Sequence, residues 1–370
     1  MRCFTPVKIF AALPLPPPIH GSTVMNNLVL QFLSKKEKFC VGVAPLNFAR
    51  NIQDIGVASV YKVFLFIRKI VEIGLRNLMS PPQIVYFTPA PTGGAFTRDA
   101  LISIFAKSFC PRIILHLHGK GFRRYKENSF PKRLARMAFR NAHVISLSKS
   151  LTTDLEGFRP AAIYIVPNGI PPVEIKRKAK NPETPPRLLF VSNLAKAKGV
   201  RILIEAIKIL SNRGQRFSVD IVGEEFDTSA KELLGQLGVG NLMNSVRIHG
   251  PKFGDEKEAF FRAADIFVFP TLSDCFPLVI LEAMNNGLPV VSTLEGAIPE
   301  IVDEGRTGFL VPPGDPIRFA EKVGILIQDP QLRAEFGSNA RKKFLAEYTV
   351  DKFLKRIESV FDDVLKEKRA

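Results

Sequence analysis

The chain of 370 residues is predicted to be an α/β protein built from two domains. Three observations predict it. Short β-branched and aromatic runs alternate with helix-length stretches along the whole chain, the pattern of sheets covered by helices. The length exceeds one average domain and suits two of about 150–200 residues each. Near the middle, Pro167-Asn168-Gly169-Ile170-Pro171-Pro172 is turn chemistry, and the charged, proline-containing residues 174–186 have the composition of a linker. The domains are therefore placed at 1–175 and 183–349.

The elements follow in order. Val7–Leu13 reads as a first strand, then a proline-rich loop ends in His20-Gly21-Ser22 and a helix covers 23–33. Residues 83–87, 112–118, 144–147 and 163–166 read as the remaining strands of the first half. The second half opens with a strand at 187–192. Further strands are expected at Ser218–Val222, 246–249, Ile266–Phe269 and 289–292. Residues 344–368 have helical periodicity. No segment repeats in sequence, although two similar folds are implied.

Bulk properties exclude several classes. Hydrophobic residues make up 46% and charged residues 24%, a globular composition. No apolar run reaches the roughly 20 residues needed to span a bilayer, and residues 1–18 lack the parts of a signal peptide. Cys3, Cys40, Cys110 and Cys275 are far apart with no CxxC spacing, so they read as reduced thiols in a cytosolic setting. No Asp-x-Asp motif and no His/carboxylate cluster has metal-ligand spacing, so no metal is expected. The net charge is +17 and unevenly spread. Residues 1–175 hold 23 Lys and Arg against 8 Asp and Glu, a surplus of 15, and the remainder has a surplus of 2. Such asymmetry calls for an anionic partner in the first half. Within it, residues 120–140 interleave Arg123, Arg124, Lys132, Arg133 and Arg136 with Phe122, Tyr125, Phe130, Met137 and Phe139. A basic, aromatic segment suits anionic lipid headgroups; a solvated helix face is the ordinary alternative. A nucleic acid is the rival partner, but no zinc-finger, RNP or basic-helix pattern supports it.

The densest motif is Ser273-Asp274-Cys275-Phe276-Pro277-Leu278-Val279-Ile280-Leu281-Glu282-Ala283-Met284. Asp274 falls in the loop after a strand, and Glu282 inside the helix that begins near Leu278. Free N–H groups at that helix start favour an anion, and the carboxylates suit hydroxyl-rich ligands. Together they describe a nucleotide-sugar site. Upstream, Lys198 precedes a helix start, where an ammonium beside free N–H groups can clamp a diphosphate. Gly223, after the second strand of this half, permits close backbone approach.

These residues resemble the retaining nucleotide-sugar glycosyltransferases of family 4. Their signature is Glu, seven residues, Glu, then Ala-Met and a Gly-x-Pro-Val-Val strand. The chain reads Asp274, then Glu282-Ala283-Met284-Asn285-Asn286-Gly287-Leu288-Pro289-Val290-Val291, and continues through Gly296-Ala297-Ile298-Pro299-Glu300-Ile301-Val302 and Gly308-Phe309-Leu310-Val311-Pro312-Pro313-Gly314-Asp315. The resemblance is strong over most of 187–345 and weaker before it. It implies the GT-B fold, with two Rossmann-like domains facing across a cleft and the C-terminal helix, about 350–370, crossing back to the first domain.

It also implies roles. Glu282 would hold the ribose, Asp274 would face the transferred sugar, and Phe276-Pro277-Leu278 would offer backbone N–H groups. The family commonly carries Arg, four residues, Lys around the first turn of this half; Lys198 matches the lysine, but Asn193 stands at the arginine, and Arg201 is a candidate substitute. His118, ending a strand of the first half, would reach the donor sugar, while His116 is placed on the opposite side or one step back. His249 is either beside the base or a structural strand end. Gly21 matches a glycine-rich first loop in part. Gly93 and Gly94, with Arg98 nearby, form a loop that can hold an acceptor phosphate or start an ordinary helix. The expected reaction is sugar transfer from a nucleoside diphosphate to a hydroxyl, with retained configuration and no metal. The expected acceptor is a lipid-linked saccharide at the cytoplasmic membrane face, in polysaccharide or lipopolysaccharide assembly. The expected placement is cytoplasmic, peripheral to the inner face of the plasma membrane. The alternative is a catalytically degenerate scaffold, raised by Asn193 and Asp274.

Overall fold

The computed structural model describes residues 5–48, 60–125, 129–175, 184–237 and 241–367. Cys3, Lys126, Glu127 and linker residues 176–183 lie outside the described residues. The chain divides into one unit of Met1–Asn168 with Phe353–Ala370 and a second of Gly169–Lys352. Residues 169–175 belong to the second unit. There Asn285 accepts from Val173 N (3.1 Å) and donates to Pro171 O (2.9 Å).

The first unit runs β1 (Val7–Leu13), α1 (Gly21–Ser34), β2 (Phe39–Pro45), α2 (Val60–Met79) and β3 (Ile84–Phe87). It continues with α3 (Gly93–Lys107), β4 (Ile113–His116), α4 (Phe130–Phe139), β5 (His143–Ser146) and β6 (Ala162–Ile165). The second holds β7 (Arg187–Val191), α5 (Val200–Asn212), β8 (Ser218–Val222), α6 (Ala230–Leu237), α7 (Asn241–Ser245), β9 (Val246–Ile248) and α8 (Gly254–Ala263). After these come β10 (Ile266–Phe269), α9 (Leu278–Asn285), β11 (Val290–Thr293), α10 (Ile298–Ile301), β12 (Gly308–Val311), α11 (Pro316–Gln328) and α12 (Pro330–Glu347). The last helix is α13 (Val350–Lys366).

Each unit contains a six-stranded sheet, ordered β2-β1-β3-β4-β5-β6 and β12-β11-β10-β7-β8-β9. All described strand pairs are parallel. Central strands such as β3, β4, β10 and β11 are buried at every position, because helices cover both faces of a parallel sheet. Edge strands β2 and β6 alternate instead. That dilution, with Gly42 and Pro45 inside it, is why β2 escapes a reading based on apolar runs. The strand expected at 112–118 stops at His116, and the one at 246–249 stops at Ile248.

The helical stretch expected at 344–368 is two helices, broken at Tyr348-Thr349, where Thr349 bridges to Ile170. From Phe353 onward α13 packs in the first unit. Phe353, Ile357, Val360, Phe361 and Val364 repeat at helical spacing and are buried. The Phe361 ring sits 5.9 Å from Phe39 and 5.5 Å from Tyr86. Lys38 pairs with Glu358 (2.8 Å) and Asp362 (2.9 Å) alongside.

On the other face of this sheet, α2, α3 and α4 share one apolar core. A chain of rings runs through it, Phe96 to Phe122 (5.6 Å), Phe122 to Phe139 (5.2 Å) and Phe139 to Phe158 (5.0 Å). Truncating one such ring to Ala costs about 3–5 kcal/mol.

Candidate functional site

In the second sheet the strand order reverses between β10 and β7. Loops leaving the carboxyl ends of those strands diverge around a crevice, the place where open parallel sheets bind ligands. Here one carbonyl stitches them: Ala197 O accepts from Leu272 N (2.9 Å), Ser273 N (3.0 Å) and Thr271 Oγ1 (3.1 Å). The approach requires Gly199, which has φ 76 and whose added Cβ would lie 1.8 Å from Pro270 O. Lys198, directly before it, thereby meets Asp274 across 76 positions of sequence, with Nζ 2.6 Å from Oδ2.

Pro277 is the N-cap of α9 and has no N–H, so only Phe276 and Leu278 of that tripeptide carry a backbone donor. Phe276 is buried edge-on to Tyr348, 6.3 Å between centroids. Further along α9, Glu282 Oε1 accepts from Lys257 Nζ at 2.6 Å. Its Oε2 is shielded from solvent and has no partner. Burial pushes the Glu282 carboxyl up, against the opposing pull of Lys257. Lys257, on α8, gave no signal in sequence, because a single lysine in an acidic first turn reads as a solvated charge.

Other expected residues have structural duties. Gly223 is required because a Cβ would fall 1.8 Å from Ser192 O, so its close approach serves the loop holding half-buried Asn193. Arg201 is paired with Glu232 at 2.6 Å. His249 Nε2 lies 2.7 Å from buried Asp220, and its ring packs on Phe260 at 4.6 Å.

The first sheet reverses between β1 and β3. Loops after β1, β3 and β4 there surround a cavity of about 730 Å³, its walls including Leu15, Phe48, Phe66, Thr88, Pro91, Arg98 and His118. Asn26 braces two of these loops, donating to Pro14 O (3.0 Å) and accepting from Thr88 Oγ1 (3.0 Å). The His118 ring lies 4.0 Å from that of His116, whose Nδ1 is 2.6 Å from the buried Tyr86 hydroxyl. His116 is therefore on the same side as His118, not the opposite one: residues two apart on a strand share a face. Burial, then His20, lowers the His118 pKa to about 3, and burial also lowers His116 and His20. His118 lines the cavity, and its Nε2 is shielded from solvent and has no partner.

Expectations for this unit need correction. Gly21 is the first residue of α1 rather than a turn glycine. Gly93 (φ 69) and Gly94 open α3, and Gly94 lines the cavity. Arg98 does not stand as a lone cation. Its Nε donates to Asp99 Oδ1 at 2.7 Å, and its guanidinium lies 3.7 Å over the Phe48 ring. Asp99 also accepts from Ala90 N at 2.8 Å. A neutralised pair among apolar walls favours a hydroxyl-bearing ligand with apolar parts over a phosphate.

Comparison with known proteins fits this geometry. Residues 173–343 match the family of glycosyl transferases group 1. This stretch is similar to the group 1 glycosyltransferases. It is 35% identical over 159 residues to a D-inositol 3-phosphate glycosyltransferase of Corynebacterium jeikeium, covering 41% of this chain and 37% of that protein. It is 32% identical over 175 residues to the putative colanic acid biosynthesis glycosyltransferase WcaL of Escherichia coli, covering 45% and 42%. The matched stretch thus spans less than half of either relative. Among solved structures, Anabaena HepE in complex with UDP-glucose superposes with a TM-score of 0.68 at 21% identity, over 96% of this chain and 99% of that one. At that identity the likeness shows the fold, which is GT-B.

Outside the matched stretch, the basic segment divides. Arg123, Arg124, Arg133 and Arg136 are exposed, with Arg123 3.0 Å from Glu156. Lys132 is not a surface cation. It is 3% exposed on the inward face of α4, its ammonium 4.6 Å over the Phe158 ring. Among the described residues no helix is long and apolar enough to cross a membrane.

Proposed function

We propose that the chain is a retaining glycosyltransferase. It moves a sugar from a nucleoside diphosphate to a hydroxyl of a lipid-linked saccharide at the cytoplasmic membrane face, in cell-surface polysaccharide or lipopolysaccharide biosynthesis. The observation that carries this reading is the Lys198–Asp274 pair, at the reversal point of the second sheet, on the same loop–helix segment as Glu282. The diphosphate draws Lys198 away from Asp274, and Asp274 then turns to the hydroxyls of the sugar. Glu282 receives the ribose hydroxyls, with Oε2 unpartnered and Lys257 keeping the carboxylate charged.

During transfer the bond from the anomeric carbon to the diphosphate oxygen breaks, and a bond from the acceptor oxygen to that carbon forms on the same face. The acceptor proton passes to the departing phosphate. Lys198 offsets the charge that grows on that phosphate, the kind of electrostatic contribution that dominates many enzymes. We further propose that no divalent metal takes part. The cavity of the first unit takes the acceptor, with His118 as a neutral hydrogen-bonding group for a sugar hydroxyl and apolar walls for its non-sugar part.

Thermal stabilisation by UDP, GDP, ADP and CMP, in chelator, tests the donor half. A shift with one nucleoside diphosphate, reduced in Lys198→Ala, is the expected result; UDP comes first because HepE was captured with UDP-glucose. The absence of any shift would favour the scaffold reading that Asn193 and Asp274 raise. Restoration of binding by added Mg²⁺ would overturn the metal-independent part alone.

A further inference from the structure

Helix α2 is apolar on two faces. Leu65, Phe66, Ile70 and Ile73 pack inward on the core of the first unit. On the other side Val60, Phe64, Ile67, Val71, Leu75 and Leu78 recur every three or four residues, and each is more than half exposed. A contiguous exposed apolar stripe over five turns marks an interaction surface. We infer that the outer face of α2 lies in the interface of an anionic bilayer and seats the first unit on it. This inference rests on the lipid-linked acceptor proposed above and names how that acceptor is reached.

Charge selects the occupant. Arg68 is exposed along the edge of the stripe, and Arg76 is exposed on the same flank. Helix α4 covers the same face of the sheet and turns Arg133 and Arg136 outward beside exposed Phe130 and Met137, with Arg140 exposed just after it. Cations bordering an apolar stripe let the stem pack on the acyl boundary and the charge reach the headgroups. With a surplus of 15 positive charges in residues 1–175, a second copy of the same face would be repelled, whereas an anionic surface is attracted. Lys62, Arg68, Lys69, Glu72 and Arg76 interrupt the 20 residues of α2. They fit a helix lying in the interface and not one crossing it.

The cavity supplies a second, independent observation. Lys62, Val63 and Phe66 of α2 line it, and Val63 is itself more than half exposed, so one helix borders both stripe and cavity. An amphiphilic acceptor can therefore pass from the interface into the cavity while its apolar part stays covered.

The chain has no tryptophan, so Phe64→Trp places a single reporter on the stripe. With the full chain and vesicles of 70:30 phosphatidylcholine and phosphatidylglycerol, its emission is expected to move to shorter wavelength and become protected from acrylamide. Phosphatidylcholine alone should give neither change. The double variant Ile67→Glu/Val71→Glu should lower partition into the anionic vesicles more than about tenfold. Its melting temperature and its response to nucleotide should not change. Binding that survives this variant but is lost in Arg133→Glu/Arg136→Glu would overturn insertion by α2. A reporter that stays in water while the chain self-associates, with the double variant monomeric, would make the stripe a self-interface. Failure of nucleotide binding with intact vesicle insertion would sink the donor reading and leave this one standing.

Discussion

The two units use the same architectural position for opposite chemistry. Both sheets are six-stranded and parallel, and in both the side chains of interest cluster where the strand order reverses. In the second unit that place holds charges already matched, Lys198 with Asp274 and Lys257 with Glu282, each at 2.6 Å. In the first it holds neutral imidazoles, an internally compensated Arg98–Asp99 pair and apolar walls. Topology therefore fixes where the two clusters lie, and the loops decide their chemistry; in the reading proposed above, one suits a diphosphate with its hydroxyls and the other an uncharged amphiphile.

The largest expected effect is on Glu282. Replacing it with Ala removes the carboxylate proposed to hold the ribose and leaves the half-buried Lys257 without its partner. Hydrogen bonds to a charged group contribute about 1.5–3 kcal/mol, so nucleotide affinity should fall about 10- to 100-fold by calorimetry. Unchanged affinity would remove the ribose assignment and with it half of the contrast.

Lys198 comes next. Lys198→Ala should weaken the diphosphate about tenfold, the size expected of one partly exposed charge-assisted contact. Asp274→Asn sharpens the comparison, because it frees Lys198: nucleotide should bind as well or better while transfer falls. Equal loss of both would mean that the pair only holds the two loops together. In the first unit His118→Gln should reduce transfer by severalfold and leave nucleotide affinity alone. A drop in nucleotide affinity with this variant would break the division of labour between the sites.

What the sequence made legible follows from how local each signal is. Val7–Leu13, Ser218–Val222 and Ile266–Phe269 could be read to the residue, since buried parallel strands are short apolar runs with abrupt ends. The segment from Asp274 to Glu282 was legible because loop and helix are contiguous. Lys257 was not, since it reaches Glu282 only through the fold. Lys132 misled for a related reason: composition gives a basic segment, whereas the side of α4 that meets Phe158 is set by tertiary packing. Helix α2 was not read from the sequence, although Lys62, Arg68, Lys69, Glu72 and Arg76 fall on one flank of it. Of the two places left open for His116, strand alternation selects the one a step back from His118 on the same side.

The pH dependence of stability tests the neutral first site separately, and its sign differs between groups. Burial lowers His118 from 6.5 to about 3 and lowers His116 and His20 in the same direction. Above pH 6.5 these rings are neutral folded or unfolded and contribute no slope. Below it the unfolded chain takes up protons that the folded one refuses, so stability falls as pH drops from 6.5 towards 3. Glu282 and Asp99 run the other way. Burial raises both, so the folded chain takes up their protons first, and the resulting loss is present at neutral pH and relieved on acidification. Urea midpoints across pH 7.5 to 4.5 should therefore fall for the native chain, fall less for His118→Asn, and fall more steeply for Glu282→Gln. An unaltered slope in His118→Asn would mean that the ring is reached by water, and the neutral first site would then lose its physical basis.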